Sequence, residues 1–343
     1  MEKVCAFLKK YKMFYKDIDF TANCEVFVSE MRIGLSSKKS SLAMIPTYIE
    51  TDQELPLNES VIVLDIGGTN TRVAVVHFDT EKKPIIEDFA RYAIPGTDCE
   101  VSKEKFFEKI ASYLEPIIDK ANKIGICFSY PAEPLPNKDG RVLKLTKQLK
   151  ADRLVGENVG GGIFEALLAR HCTKKVKAVV INDSVATLFG GKAAFFDRNF
   201  DSYVGFILGT GTNTSYIENN SNITKVETPK ISDNMVINIE SGGYSRFHSG
   251  ILDKDYDAGL ADRGAYQFEK MVSGRYQGRL LLSIVQKAAQ EGLFSSRFAE
   301  KIMQVSNLES YEVDKFLYYP FADNRLAQCC KTEDQVADRI TLY

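Results

Sequence analysis

The stretch VIVLDIGGTNTRVAVVHF, residues 61–78, predicts a β-hairpin and decides how the rest of the chain is interpreted. Two runs rich in β-branched residues flank a Gly-Gly turn, which is typical of two antiparallel strands. Gly67 and Gly68 lack a Cβ, so backbone N–H groups there could approach an anion closely. Asp65, at the end of the first strand, would repel a bare phosphate but suits one that carries Mg²⁺. The stretch therefore indicates a phosphate site, and the alternative is an ordinary tight hairpin with a surface acid.

Composition describes an ordinary globular protein. The chain has 343 residues, a length typical of two domains, with 44% hydrophobic and 26% charged residues. The 44 basic and 46 acidic side chains give a net charge of −2. A chain with this balance has no polybasic surface for nucleic acid or an anionic membrane, so no nucleic-acid partner is expected.

Cysteine usage and the N-terminus predict a cytoplasmic protein without membrane insertion. The seven cysteines are an odd number with no C-x-x-C motif, which is typical of reduced thiols. The first residues lack the apolar core of a signal peptide, and no apolar run approaches the length of a transmembrane helix. Val4, Phe7, Leu8 and Tyr11 have helical spacing and predict a short amphipathic helix. This helix could dock on a membrane or pack on the protein, and its short apolar stripe favours packing.

The order of predicted segments is typical of a layered α/β protein. Residues 61–182 run strand-strand-strand-helix-strand-helix-strand, a pattern that indicates a mixed sheet. A second hairpin is predicted from residues 203–208 and 213–218, around the turn Gly209-Thr210-Gly211-Thr212. Two halves that each contain a Gly/Thr hairpin indicate duplicated domains facing a shared cleft.

Polar residues follow three of the predicted strands directly. They are Asp65, the pair Asn182-Asp183, and Glu240. Residues at strand ends in α/β sheets point into ligand crevices. Asp183 could serve as a general base for a hydroxyl, or it could cap the helix that starts there. The two phosphate-type hairpins favour the catalytic interpretation.

At this point the sequence resembles the hexokinase family, eukaryotic-type sugar kinases of the actin-like ATPase superfamily. Eight stretches match in the family's order. They are SSLAMIPTY (40–48), LDIGGTNTRVAVV (64–76), FSYP (128–131), LTK (145–147), INDSVATL (181–188), ILGTGTNTSYIE (207–218), MVINIE (235–240) and FEKMVSGRYQG (268–278). The resemblance implies two ribonuclease-H-like α/β domains with mixed sheets that flank a central cleft. The expected division is a small domain over 61–182 within a large domain formed by 1–60 and 183–343.

The resemblance also implies a function and a set of site residues. The implied reaction is ATP-dependent phosphorylation of the 6-hydroxyl of glucose or a related hexose, with Asp183 as the base and Lys147 facing the transferred phosphoryl group. The implied hexose ligands are Ser129, Thr146, Lys147, Asn182, Asp183, Asn213, Glu240 and Glu269. The implied contacts to Mg²⁺-ATP are Asp65 at the metal and Gly67, Gly68, Thr69, Asn70, Arg72, Thr210 and Gly211 at the phosphates.

Two further interpretations stay open at this stage. One is a non-catalytic hexose sensor that keeps the sugar ligands without effective ATP turnover. The other is a DNA-binding repressor on the same fold, which would need a basic helix-turn-helix that residues 2–35 do not convincingly supply. The resemblance also implies that the C-terminal adenosine-binding part is missing. Its absence would expose apolar faces and favour either association, for example as a homo-oligomer, or instability.

Overall fold

A computed structural model describes most of the chain. The described residues are 2–36, 39–51, 56–68, 70–145, 149–195, 197–198, 200–227 and 232–343. Contacts between Cα atoms divide the chain into two compact units. The sheet unit comprises Met44–Phe206 and Thr214–Ile239, and the helical unit comprises Met1–Ala43, Ile207–Asn213 and Glu240–Tyr343. The predicted domain division at residues 60 and 182 stays a prediction.

The described part of the chain contains both strands and helices up to residue 238 and helices beyond it. The strands are β1 (Ile45–Glu50), β2 (Val61–Ile66), β3 (Asn70–Phe78), β4 (Pro84–Ala93), β5 (Val101–Ser102), β6 (Lys123–Phe128), β7 (Ala132–Pro134), β8 (Gly140–Val142), β9 (Ala151–Asp152), β10 (Lys177–Ile181), β11 (Val204–Leu208), β12 (Thr212–Asn219) and β13 (Asn234–Asn238). The helices are α1 (Glu2–Lys10), α2 (Phe20–Leu35), α3 (Lys103–Leu114), α4 (Val159–Ala169), α5 (Asp183–Ala194), α6 (Ile251–Ala258), α7 (Gln267–Val272), α8 (Gln277–Gln290), α9 (Ser296–Met303), α10 (Ser310–Tyr318), α11 (Arg325–Cys329) and α12 (Gln335–Leu342).

A five-stranded mixed sheet forms the centre of the sheet unit. Its order is β10-β6-β2-β3-β4. Strands β10, β6 and β2 are parallel, whereas β2, β3 and β4 are antiparallel. The predicted hairpin is β2–β3, in which Asp65 pairs with Arg72. Both the hairpin and the mixed sheet predicted from the sequence are confirmed.

One face of this sheet carries the main core. Ile62, Leu64 and Ile66 alternate along β2 and are fully buried, because every second side chain of a strand points to the same face. Helices α3 and α4 contribute Phe106 and Ile163 to the same cluster. Asp65 is on the opposite face, so the strand directs its apolar side chains into the core and its acid away from it.

A second sheet has the order β1-β13-β12-β11. The matching stretch SSLAMIPTY runs into β1, which pairs antiparallel with β13. The buried hydroxyl of Thr47 donates to the carbonyl oxygen of Val236 at 2.7 Å. The extended conformation that Pro46 favours is thus used to add a strand to this sheet.

The helical unit contains the amphipathic helix predicted at the N-terminus. Phe7 of α1 and Tyr11 just beyond it are buried against Leu252 and Ala288, so the apolar stripe packs on the protein as predicted. The run of helices that completes this unit begins at α6. None of the helices in the described ranges has the length and hydrophobicity needed to cross a bilayer.

Candidate active site

In the sheet unit, three parallel strands bring polar side chains to one edge of the sheet. Asp65 on β2 pairs with Cys127 on β6, and Cys127 pairs with Ile181 on β10. The N–H of Ser129 donates to the carbonyl oxygen of Ile66 at 3.1 Å, which carries the pairing one step past the end of β6. Because the strands are parallel and in register, the residues that follow them emerge side by side.

Cys127 lies on β6 and pairs with Asp65 on β2. Burial, together with the charges of Asp65 and Asp183, raises the pKa of the Cys127 thiol to about 12. The thiol also has hydrogen bonds with Ser129, which lowers its pKa, and with Asp65, which raises it. A protonated thiol is a poor nucleophile, so the half-buried Cys127 is a neutral neighbour of Asp65.

The turn between β2 and β3 has its acid paired with an arginine. Nη1 of Arg72 lies 2.5 Å from Oδ2 of Asp65. The N–H of Gly67 donates to the carbonyl oxygen of Asn70 at 3.1 Å, and a Cβ on Gly67 would lie 3.3 Å from that oxygen. Asn70 in turn accepts a hydrogen bond from Nε of Arg91 at 2.8 Å. The hydrogen bond between Gly67 and Asn70 therefore closes the turn, and Asp65 lies just before it in the chain.

The structure corrects which residue caps the helix after β10. Asn182 is the N-cap of α5, and its side chain accepts a hydrogen bond from the N–H of Ser184 at 3.0 Å. Asp183 is the first helical residue, although its Oδ1 also accepts from that N–H, at 2.9 Å. Asn182 has the extended backbone that an N-cap requires, so the capping role considered for Asp183 belongs to its neighbour.

The start of α5 is fixed against the second sheet. The carbonyl oxygen of Ser184, a fully buried residue, accepts a hydrogen bond from the hydroxyl of Ser215 at 2.9 Å. A Cβ on Gly205 of β11 would collide with the same carbonyl oxygen. Only glycine permits this close approach of strand to helix. These contacts hold the backbone that carries Asp183.

In the helical unit, Glu269 is held against the second Gly/Thr turn. Its Oε2 accepts a hydrogen bond from the N–H of Thr212 at 3.0 Å. A Cβ on Gly211 would lie 2.6 Å from the same oxygen. A second hydrogen bond also holds the turn, because the N–H of Gly274 donates to the carbonyl oxygen of Gly209 at 2.7 Å. The absence of a side chain at Gly211 is thus what lets the carboxylate reach the turn.

Glu240 lies beside Asn213 in the same unit. Nδ2 of Asn213 donates to Oε1 of Glu240 at 3.2 Å. Glu240 has a left-handed backbone, with φ 56° and ψ 49°. Such a conformation is unfavourable for a residue with a Cβ and is concentrated at ligand sites, where neighbouring structure maintains it.

Two residues that the sequence did not single out also belong to these surroundings. Lys270 is buried and pairs with Asp257 at 2.6 Å and with Asp262 at 3.1 Å, which ties down the loop before Glu269. Tyr266, in that loop, has its pKa raised by burial and by the charges of Glu240 and Glu269. In the sequence, nothing distinguishes either residue from an ordinary surface lysine or tyrosine.

The predicted site residues therefore form one group in each unit. The group in the sheet unit comprises Asp65, Gly67, Gly68, Asn70, Arg72, Ser129, Asn182 and Asp183. The group in the helical unit comprises Thr210, Gly211, Asn213, Glu240 and Glu269. Thr69, Thr146 and Lys147 lie outside the described residues.

The group in the sheet unit suits a metal that arrives on phosphates. Within the described ranges, three His, Cys, Asp or Glu side chains nowhere gather closely enough to hold a metal ion by themselves. Mg²⁺ keeps several waters and is usually bound by one or two carboxylates together with substrate phosphates. A single acid, Asp65, at the entry of a glycine turn fits that donor set.

Two hexokinase family models match the sequence, one over residues 9–193 and the other over residues 203–342. Hexokinase-1 of Nicotiana tabacum is 33% identical over 293 residues, which are 80% of this chain and 57% of the relative. The hexokinase of Schistosoma mansoni is 32% identical over 319 residues, which are 88% of this chain and 68% of the relative. The chain thus spans a little over half the length of the tobacco protein.

A solved structure extends the likeness to the fold. The hexokinase of Schistosoma mansoni complexed with glucose matches with a TM-score of 0.74 and 26% identity, covering 99% of this chain and 80% of that one. This match confirms the predicted α/β fold class of the actin-like ATPases. The family models together cover nearly the whole described chain, in the order in which the motifs occur. The chain belongs to the hexokinase family.

Proposed function

We propose that this protein transfers the γ-phosphoryl group of ATP to the 6-hydroxyl of glucose or a related hexose. In this step a bond forms between the sugar O6 and the γ-phosphorus, and the bond from that phosphorus to the β,γ-bridging oxygen breaks. The hydroxyl proton passes to the carboxylate of Asp183, which leaves hexose 6-phosphate and ADP. Such a reaction depends on positioning and charge neutralisation more than on covalent help from the protein.

The register of three parallel strands carries this proposal. Asp65 on β2 pairs with Cys127 on β6, and Cys127 pairs with Ile181 on β10, two residues before Asp183, so the proposed metal ligand and the proposed base follow strands that end at one edge of the sheet. A base and a phosphate-bound cation must be neighbours if a hydroxyl is to be deprotonated as it attacks phosphorus. An acid that served only to cap a helix would not need the second carboxylate beside it.

The remaining roles follow the chemistry of each side chain. Asn182, Ser129 and Thr146 offer hydrogen bonds to hexose hydroxyls, as do Asn213, Glu240 and Glu269. Lys147 neutralises charge on the transferred phosphoryl group. The N–H groups of the two glycine turns suit phosphate oxygens, because preorganised donors stabilise charge without reorganising during the reaction. When bound, Mg²⁺ would neutralise the phosphates beside Asp65.

A coupled assay tests the proposal directly. The full chain is given glucose, ATP and Mg²⁺, and sugar 6-phosphate is measured beside Asp183→Ala and the exposed control Asp197→Asn. Turnover that persists in the control and falls by about 100-fold or more in Asp183→Ala would support the proposed base. Equal turnover in all three proteins would exclude Asp183 from that role.

A second candidate is a hexose sensor without effective turnover. The ion pair between Arg72 and Asp65, at 2.5 Å, favours it, because the guanidinium occupies one oxygen of the acid proposed for the metal. Glucose binding measured by calorimetry, together with no sugar phosphate in the assay, would select the sensor. Turnover that requires Mg²⁺ would select the kinase. We also propose, for either function, that the protein is cytoplasmic and forms a homo-oligomer.

A further inference from the structure

Helix α7, which carries Glu269, is too short to hold its own position. It has six residues, and an isolated helix of fewer than about 12 residues is marginal without tertiary packing. Its N-cap, Tyr266, has a left-handed backbone, with φ 50° and ψ 41°, instead of the extended backbone of an ordinary cap. The position of the helix, and with it the position of Glu269, must therefore be set by contacts with other elements.

The residue after Glu269 makes such contacts. Lys270 is buried, and three acceptors match the three N–H donors of its ammonium group. Its Nζ lies 2.6 Å from Oδ1 of Asp257, at the end of α6. It also lies 3.1 Å from Oδ1 of Asp262 and 2.8 Å from the carbonyl oxygen of Asp262. We call Lys270, Asp257 and Asp262 the ion cluster.

The ion cluster also fixes the loop between α6 and α7. Oδ2 of Asp257 accepts a hydrogen bond from the N–H of Gly264 at 2.9 Å. Gly264 has φ 80°, in the left-handed region that glycine adopts readily. One carboxylate thus joins the end of α6, the loop and the buried lysine of α7. Burial alone would lower the pKa of Lys270, but the hydrogen bonds and charges of the two aspartates outweigh burial and raise it, so the lysine stays charged.

Glu269 and Lys270 hold the helix on two different sides. Successive residues of an α-helix are about 100° apart around its axis. Oε2 of Glu269 accepts from the N–H of Thr212 at 3.0 Å, whereas Lys270 points into the ion cluster. The Glu269 side is closely packed, because a Cβ on Gly242 would lie 3.2 Å from the Cβ of Glu269. A rotation of α7 that displaced the carboxylate would therefore pull the ammonium away from its acceptors.

We propose that Lys270 is a positioning residue for hexose binding. The ion cluster fixes the rotation of α7 and so holds the Glu269 carboxylate where the sugar requires it. This inference rests on the proposed hexose-binding function, in which Glu269 is a ligand, and adds the group that sets the place of that ligand. A carboxylate held in advance strengthens binding, because less conformational entropy is lost when the sugar binds.

A double-mutant cycle on hexose binding without ATP tests this role. Calorimetry gives the glucose Kd of the wild type, of Lys270→Met, which removes the charge, of Glu269→Gln, and of the double variant. We expect Lys270→Met to weaken glucose binding about tenfold, an effect typical of groups that orient a ligand-binding residue. In the Glu269→Gln background the same change should cost less than about twofold, because no carboxylate is left to position.

Glu30→Gln is the matched control, because it breaks another buried group of charges in the same unit. Oε2 of Glu30 accepts from the N–H of Ser41 at 2.9 Å, and its Oε1 lies 3.4 Å from Nη1 of Arg246. This variant should lower the melting temperature and leave the glucose Kd unchanged. If Lys270→Met does not fold, Asp262→Asn, at an exposed aspartate, takes its place in the cycle, with an expected loss of affinity of about threefold.

The cycle separates positioning from a general effect on the fold. An equal loss of affinity in both backgrounds would mean that Lys270 acts on the unit as a whole, and an unchanged glucose Kd would mean that it does not act on the site. Either result would overturn the inference and leave the proposed function standing. If the wild type binds no hexose at all, the proposed function fails, and the inference fails with it.

Discussion

The backbone N–H of Thr212 donates to Oε2 of Glu269 at 3.0 Å, and the space beside this bond is left open by a glycine. A Cβ on Gly211 would lie 2.6 Å from the same carboxylate oxygen. The hydrogen bond between Thr212 and Glu269, which are far apart in the chain, therefore requires that residue 211 have no side chain. The relation explains why the second Gly/Thr turn and the helix that carries Glu269 are fixed together.

This relation predicts the effect of Gly211→Ala. The added methyl group displaces the carboxylate of Glu269, so we expect weaker hexose binding and a loss of stability of about 1–3 kcal/mol from overpacking. Gly209→Ala is the matched control, because a Cβ there meets no atom within 4 Å. Glucose Kd and the melting temperature check both variants. A change of the same size in the control would mean that the turn tolerates no side chain at either position.

Gly205→Ala is expected to displace the proposed base, Asp183, by moving the start of α5. Its Cβ would collide with the carbonyl oxygen of Ser184, so the start of the helix must move and Asp183 with it. We expect kcat to fall by about 10- to 100-fold, because small displacements of a catalytic group are costly. Gly191→Ala, within α5, meets no atom and serves as the control. It should be as active as the wild type and slightly more stable, since alanine favours helix.

Thiol labelling tests the environment of Cys127. Burial and the nearby carboxylates raise the pKa of this thiol to about 12, so it stays protonated at neutral and mildly alkaline pH. Cys24 and Cys99 are exposed free thiols. With iodoacetamide at about pH 8, where free thiols react readily, we expect mass spectrometry to find Cys24 and Cys99 alkylated and Cys127 unmodified. Rapid labelling of Cys127 in the folded protein would contradict the packing at the sheet edge.

The surroundings of Glu30 predict how the free energy of unfolding depends on pH. Burial by itself would raise the pKa of this 3%-exposed acid, but hydrogen bonds from Ser41 and Ser40 and the charge of Arg246 outweigh burial and lower it. A pKa lowered on folding means that the stabilisation is fully present above the unfolded value, near pH 4.5. It is lost as the pH falls through the folded value.

Glu30→Gln is therefore expected to destabilise the protein at pH 7 by about 1–3 kcal/mol and to reduce the acid-dependent loss of stability. Urea unfolding at several pH values between 7 and 3 measures both effects. Glu300→Gln, at an exposed glutamate, is the control and should follow the wild-type curve. If Glu30→Gln retained the full pH dependence, the carboxylate would not be the group responsible.

Much of the fold could be predicted because local patterns determine it. The alternation of apolar residues along β2 and the Gly-Gly turn after it predicted the hairpin, which is confirmed. Ser102 is the N-cap of α3, and its hydroxyl accepts a hydrogen bond from the N–H of Lys105 at 3.3 Å. Each of these signals lies within a few residues of the element that it specifies.

The N-cap of α5 is a feature that the local sequence pattern could not predict. Asn182 and Asp183 are adjacent and both suit a cap, so the sequence did not distinguish them. The choice depends on which residue keeps an extended backbone, and Asn182 does so because the parallel strand β10 ends there. The sheet, rather than the two side chains, decided which residue became the cap and which entered the helix.

The sequence by itself determined the family, the strands that end in acids and the glycine turns beside them. These features are local in the chain and are fixed by residue type and spacing. Only the tertiary structure decided that Cys127 lies beside Asp65 in the sheet and that Gly211 makes room for Glu269. The physical reason is that these contacts join residues separated along the chain, and their distances follow from strand register and close packing, which no short stretch of sequence specifies.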